Sequence, residues 1–293
     1  RVVSTTGNTR CVVGDAGPGT LRVRDDALVV VTGEMTIGGS IATAPGLVEL
    51  GTDTLLSVSR DLVVGNTGPG TLALISPTSE VTVLRDLVIR AAGAVTGVGA
   101  LDVDGTVIVN AGGSIAPGLS PGVLTINGNL QLEQGSMLRM EIAGLAPTQT
   151  DLLRVSGNAS LNGELQVRFL DGFLPRTRDA FEFIEIDGTH AGSFERVEFP
   201  DLDPAFNAEL RSVDGKLTLT ALSNALPGSG ATISGDIITA PPPFLPPCGT
   251  GLCGAGMVNL LPLTLAGMMT IRRRASRSLQ TVQRPCLATR PRR

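Results

Sequence analysis

The sequence predicts an all-β fold, a parallel β-solenoid (β-helix) with coils of about 25 residues. Three observations carry that expectation. A glycine-centred phrase recurs at that spacing. Short runs of Val, Leu and Ile are broken every few residues by Gly, Asn, Asp, Ser or Pro. Residues 1–168 contain no Phe, Tyr or Trp. A narrow coil interior holds branched aliphatic chains and crowds large rings, whereas β-sandwiches use aromatics in their cores. A sandwich with similar turns is the alternative.

The strands follow from the runs. Thr20–Val23, Ala27–Val31, Leu55–Val58, Asp61–Val64 and Thr106–Val109 are four or five residues long and rich in residues that suit a pleated strand. No amphipathic helix stands out before residue 250. The recurring phrase is Gly17-Pro18-Gly19-Thr20-Leu21, Ala44-Pro45-Gly46-Leu47-Val48, Gly68-Pro69-Gly70-Thr71-Leu72 and Gly97-Val98-Gly99-Ala100-Leu101, at offsets of 27, 24 and 29. A second phrase, Met35-Thr36-Ile37-Gly38, Leu62-Val63-Val64-Gly65 and Leu87-Val88-Ile89-Arg90, keeps offsets of 27 and 25. Each unit then has room for three short strands and three turns.

All eight Phe lie between 169 and 244. A stacked array must cover its open end, so this aromatic stretch predicts a terminal cap. Its expected strands are 164–169, 180–186, 193–198, 207–213 and 216–221. The organisation predicted is repeats over 1–168, terminal coils and a Phe-containing cap over 169–222, and a Pro/Gly/Ala-rich linker over 223–251. An apolar C-terminal helix with an Arg cluster follows over 252–274, and then a basic tail over 275–293, read as disordered.

The stretch Gly113-Ser114-Ile115-Ala116-Pro117-Gly118-Leu119-Ser120-Pro121-Gly122-Val123-Leu124-Thr125-Ile126 resembles a phrase of autotransporter-type passenger proteins. The likeness continues through Gly128–Leu132, Gly135–Leu138, Asp151–Gly157, Leu161–Leu165 and Gly172–Pro175. Val64-Gly65-Asn66-Thr67-Gly68-Pro69-Gly70-Thr71-Leu72 is similar to the passenger-associated repeat. Together the resemblance covers about 14–222 and implies a secreted or surface β-helix; it carries no activity. The 71 residues after 222 hold one aromatic, too few for a translocator barrel with aromatic girdles.

The C-terminal region adds a second resemblance. Ala240–Pro247 is proline-dense, Leu252–Ile271 is twenty residues without a charge, and Arg272, Arg273 and Arg274 follow at once. That length suits a bilayer span, and the Arg cluster sets the cytoplasmic side. The arrangement is similar to a bacterial sorting signal of the PEP-CTERM type, with Cys248 and Cys253 in place of the Pro-Glu-Pro tripeptide. Sorting or membrane roles fall on Cys248, Cys253, Leu260, Leu261, Leu263, Leu265 and Arg272–Arg274. The partners this implies are export and sorting machinery and the membrane. The first residue is not Met, which suggests a missing or processed start where a signal peptide would stand.

Charge and residue types narrow the function classes. The last 22 residues hold eight Arg and no acid, leaving 15 basic against 27 acidic residues in 1–271, or −12. Such a body repels phosphates, and stacking platforms are scarce, so nucleic acid is not an expected partner. The four cysteines are scattered, and Cys248 and Cys253 lack the further ligands of a zinc site; a small disulfide or a processing role fits them better. His190, alone of its type, sits in a turn-like stretch with no nucleophile elbow in the chain. Asp25-Asp26, Asp102/Asp104 and Asp201/Asp203 read as turn carboxylates. No catalytic residue, metal or cofactor is expected. The predicted role is an exported, non-enzymatic surface, matrix or adhesin-like module touching surface glycans or proteins. A polysaccharide-processing β-helix lyase or glycosidase is the alternative, and its mark would be carboxylates and an Arg converging in a groove across adjacent coils.

Overall fold

A computed structural model describes residues 3–5, 10–119 and 121–239. The chain winds through three strand positions per coil, so the fold has three faces. On the first face Val3–Thr5, Leu28–Val31 and Leu55–Val58 stack in parallel, followed by 80–83, 100–103, 123–126, Leu152–Val155 and 184–186. The second face begins with Cys11–Val13, Met35–Ile37, Leu62–Val64 and Leu87–Ile89 and ends at His190–Ala191. The third runs from Gly19–Val23 through Gly46–Leu50 to Arg196–Phe199. The fold is therefore an all-β parallel solenoid, and its only helix among the described residues is a short 3-10 turn, Pro147–Gln149.

Register explains both repeat phrases and corrects one copy. Met35 pairs with Leu62 and Leu62 with Leu87, as the second phrase predicts. Gly19 pairs with Gly46 and Gly46 with Gly70, but the next partner is Gly93. The phrase at Gly97–Leu101 is thus not the fourth copy: Leu101 lies on the first face beside Val81. Coil length also varies, from 20 residues (Ala94 to Ser114) to 32 (Leu165 to Val197). A Cβ on Gly46, Gly70 or Gly93 would stand 2.2, 2.1 or 2.2 Å from the carbonyl oxygen of Val13, Ile37 or Val64. The tight second corner therefore requires glycine at these three coils for closeness of backbone.

The core is a set of aliphatic columns. Val48, Leu50, Leu72, Leu74, Leu87, Ile89, Val107 and Val109 are fully buried, each above a similar residue one coil away. Alternation within most strands sends the intervening residues outward, although Thr36 and Val63 on the second face are buried as well. The first corner carries a side-chain ladder. Asp86 Oδ1 accepts the Thr106 N–H at 2.9 Å, Asn129 Oδ1 accepts that of Asn158 at 2.9 Å, and Asn158 Oδ1 accepts that of Thr189 at 2.9 Å. Each short polar side chain satisfies a backbone donor of the next coil.

The C-terminal end departs from this pattern. Lys216–Ala221 runs antiparallel to Ala180–Ile186, and Ala208–Val213 antiparallel to Lys216–Ala221. The strand expected over 193–198 is Arg196–Phe199, and Ala231–Ser234 runs antiparallel to it. With Ile237–Ile238 on Ala208–Val213, this last pairing places strand where the linker over 223–251 was expected. Proline is sparse before residue 240, and the 231–234 backbone donors find partners in the exposed edge. Rings of Phe169, Phe173, Phe181, Phe199 and Phe206 meet at centroid distances of 4.9–6.5 Å. The predicted apolar helix, Arg cluster and basic tail lie outside the described residues.

Candidate functional site

The third face has a gap. Its strand Ser114–Pro117 pairs with the following strand, Met137–Ile142, only at Ser114–Met137 and Ile115–Leu138. The chain then leaves at Gly118, whose N–H bonds the Gly97 carbonyl at 2.8 Å. Met137–Ile142 continues and is paired along its whole length on the other side, to Glu164–Phe169. Asp151 fills the vacated side. Its Oδ2 accepts the Glu141 N–H at 2.8 Å and its Oδ1 accepts the Gly122 N–H at 2.8 Å. Its own N–H donates to the Glu141 carbonyl at 2.9 Å.

Asp151 is fully buried. Burial pushes its carboxyl up to about 7, while the N–H groups of Gly122 and Glu141 pull the other way and the nearby Glu141 carboxylate adds to the rise. Gly118 must lack a side chain, because its φ is +99° and a Cβ would lie 2.0 Å from Asp151 Oδ1. Gly118, Gly122 and Asp151 are thus one unit, a carboxylate staple between the turn at Gly122 and the strand Met137–Ile142.

Beside the staple lies a cleft of about 210 Å³. Thr96, Ala116 and Pro117 form one wall, Met140 and Asp151 lie deep, and Arg139, Glu141, Gln166 and Arg168 stand on the outward positions of two neighbouring strands. The arginines here differ from those elsewhere on the described strands. Arg22 pairs with Glu49 (3.4 Å), Arg154 with Glu185 (2.9 Å), Arg196 with Glu164 (2.7 Å) and Arg211 with Glu209 (2.6 Å). Among the described residues Arg139 finds only the Met137 sulfur at 3.2 Å, a weak acceptor, and Arg168, although opposite Glu141 in register, has no ion pair.

His190 is not in a turn. It belongs to a short strand on the second face, and its Nε2 lies 2.7 Å from Ser212 Oγ. The pair has the spacing of a nucleophile and base, but its surroundings do not suit one. Nε2 can take the serine proton only when the ring proton sits on Nδ1, and buried Nδ1 has no hydrogen-bond partner among the described residues to hold it there. The bond instead ties Ala208–Val213 to the last parallel coil.

The acidic pairs lie apart. Asp25 and Asp26 occupy a left-handed turn, and Asp203 Oδ1 accepts the Ala205 N–H within a turn. Asp102 faces Glu80 across a coil, and that hydrogen bond raises the Glu80 carboxyl, helped by burial and repulsion. No group of three or more His, Cys, Asp or Glu among the described residues is arranged to hold a metal ion. Cys11 is free and half-buried, and burial raises its thiol. Cys248, Cys253, Leu260, Leu261, Leu263, Leu265 and Arg272–Arg274 all lie outside the described residues. No helix among the described residues is long and apolar enough to cross a membrane.

Sequence reasoning missed Asp151, Arg139 and Arg168. Asp151 stands in the quoted Asp151–Gly157 phrase, but nothing local separates a buried carboxylate from a turn one. No protein-family model and no curated protein matches this chain.

Proposed function

We propose that this chain is an exported, non-enzymatic β-helix that serves as a bacterial cell-surface, matrix or adhesin-like module, anchored or sorted through its C-terminal segment. The observation that carries the non-enzymatic part is the state of Asp151. Both its oxygens are committed to backbone N–H groups and it is fully buried, so the cleft presents one outward carboxylate, Glu141, rather than the two that glycoside hydrolysis uses. The stacked coils, with ion pairs linking neighbouring strands, supply a scaffold with exposed faces for repeated weak contacts.

Export and anchoring rest on the sequence: the passenger-like phrases, the uncharged Leu252–Ile271 and the Arg cluster after it. Fusing residues 224–274 to a secreted reporter and fractionating the cells tests this. Membrane association or cleavage of the reporter supports sorting, and a reporter that stays wholly soluble and uncut removes it.

A second reading has one observation in its favour. Glu141, Asp151, Arg139 and Arg168 meet across adjacent coils, the pattern expected of a polysaccharide-processing enzyme. Release of reducing ends or unsaturated products from acidic or neutral glycans, abolished by Glu141→Gln, would establish that reading in place of the first.

A further inference from the structure

We propose that the cleft beside Asp151 binds the carboxylate of a single acidic sugar unit through Arg139 and Arg168. The register places Arg139 opposite Gln166 and Glu141 opposite Arg168 on neighbouring strands. The two arginines are therefore diagonal neighbours with Cα atoms about 8 Å apart, from strand spacing and rise. They are also the two strand arginines that lack a carboxylate partner among the described residues, on a molecule where the other four are paired. Two guanidiniums without an ion pair among the described residues, against the single Glu141 carboxylate on the same rim, leave the cleft with an excess positive charge and present the fork that carboxylates match.

The surroundings favour a sugar over other anions. Gln166 and Thr96 offer an amide and a hydroxyl for ring hydroxyls, and Ala116 offers a small apolar patch for C–H groups above the buried Pro117 and Met140. The cleft, about 210 Å³, is smaller than the sites that enclose drug-sized ligands and suits one ring. Glu141 on the same rim, and the net −12 of residues 1–271, oppose a dense polyanion such as nucleic acid. The gap exists because the pairing of Ser114–Pro117 with Met137–Ile142 stops after Ile115–Leu138, and Asp151 takes up the Glu141 N–H beyond it. The site does not depend on export.

Calorimetric titration of the full chain with a short oligogalacturonate tests the proposal. Expected are measurable binding, no binding of the fully methyl-esterified oligomer, and a Kd raised about tenfold or more by R139Q/R168Q. Arg154→Gln, which removes one paired charge from another face, leaves the Kd unchanged. The proposal falls if the acidic oligomer does not bind, if the ester binds equally, or if Arg154→Gln weakens binding as much as the double change. It also falls if inorganic sulfate competes as well as the sugar, or if a single-stranded oligonucleotide binds more tightly. Turnover of the oligomer would overturn the non-enzymatic reading and leave this binding site standing.

Discussion

The aliphatic shaft and the aromatic end of this molecule solve the same problem with different chemistry. In the shaft, Leu62 sits over Met35 and under Leu87, and each coil buries the next with a near copy of itself. Branched chains suffice because the partner surface has the same shape. Beyond Arg196–Phe199 no further parallel coil follows among the described residues, most strand pairs turn antiparallel, and five phenylalanine rings gather where the columns stop. Large rings cover more area per residue, which is what a surface with no repeating neighbour needs. Repetition thus makes the shaft tolerant of variation in coil length, while the end depends on a few specific side chains.

The largest expected effect tests that dependence. Phe199→Ala should destabilise by about 3–5 kcal/mol, because a fully buried ring touching Phe169 and Phe206 leaves a cavity. Leu87→Ala in mid-shaft should cost about 2–5 kcal/mol, nearer the low end if the neighbouring coils close on the space. Chemical denaturation of both variants checks the order, and an equal or reversed order would undo the contrast between shaft and end.

Asp151 sharpens the comparison within the shaft, where its side chain takes up a strand N–H in place of a neighbouring strand. Asp151→Asn leaves one acceptor for two donors and should cost about 1–3 kcal/mol. The effect depends on pH. The folded carboxyl titrates near 7 against 3.8 when free, so the fold binds the proton more tightly. Its stabilising share is full below about pH 4 and is lost as pH rises through 7, a change of a few kcal/mol. Urea unfolding between pH 4 and 8 should show that slope in the native chain and not in the variant.

Smaller effects belong to the corner ladder and the outer ion pairs. Asn158→Ala removes the acceptor for the Thr189 N–H and should cost about 1 kcal/mol. Arg196→Gln breaks exposed pairs to Glu164 and Glu198 and should change stability by less than about 1 kcal/mol, with the difference vanishing at high salt. Thermal melts at two salt concentrations separate the two.

Much of the fold was legible because periodicity needs no long-range information. Gly46, Gly70 and the Met35–Leu62–Leu87 column announce themselves at fixed spacing, and aliphatic alternation gives the strands. The fourth phrase misled because Gly97-Val98-Gly99 copies the composition of the turn while the true register partner, Gly93, lacks the flanking Pro. The cleft was not legible at all. Arg139 and Arg168 look in sequence like Arg22 and Arg154, but Arg139 stands opposite Gln166, and Arg168, opposite Glu141, makes no ion pair among the described residues, whereas Arg22 and Arg154 pair with the glutamates opposite them.

What the amino-acid order determined alone is the coil: which residues point inward, where glycine must stand and that similar units stack, since these follow from local sterics and hydrophobic spacing. What the tertiary structure decided is everything set by contact between non-identical segments. That covers the gap behind Ser114–Pro117, the burial of Asp151, the antiparallel end and the two unpaired guanidiniums. Charge pairing and carboxyl burial depend on distances across coils of unequal length, from 20 to 32 residues, and no local pattern encodes those distances.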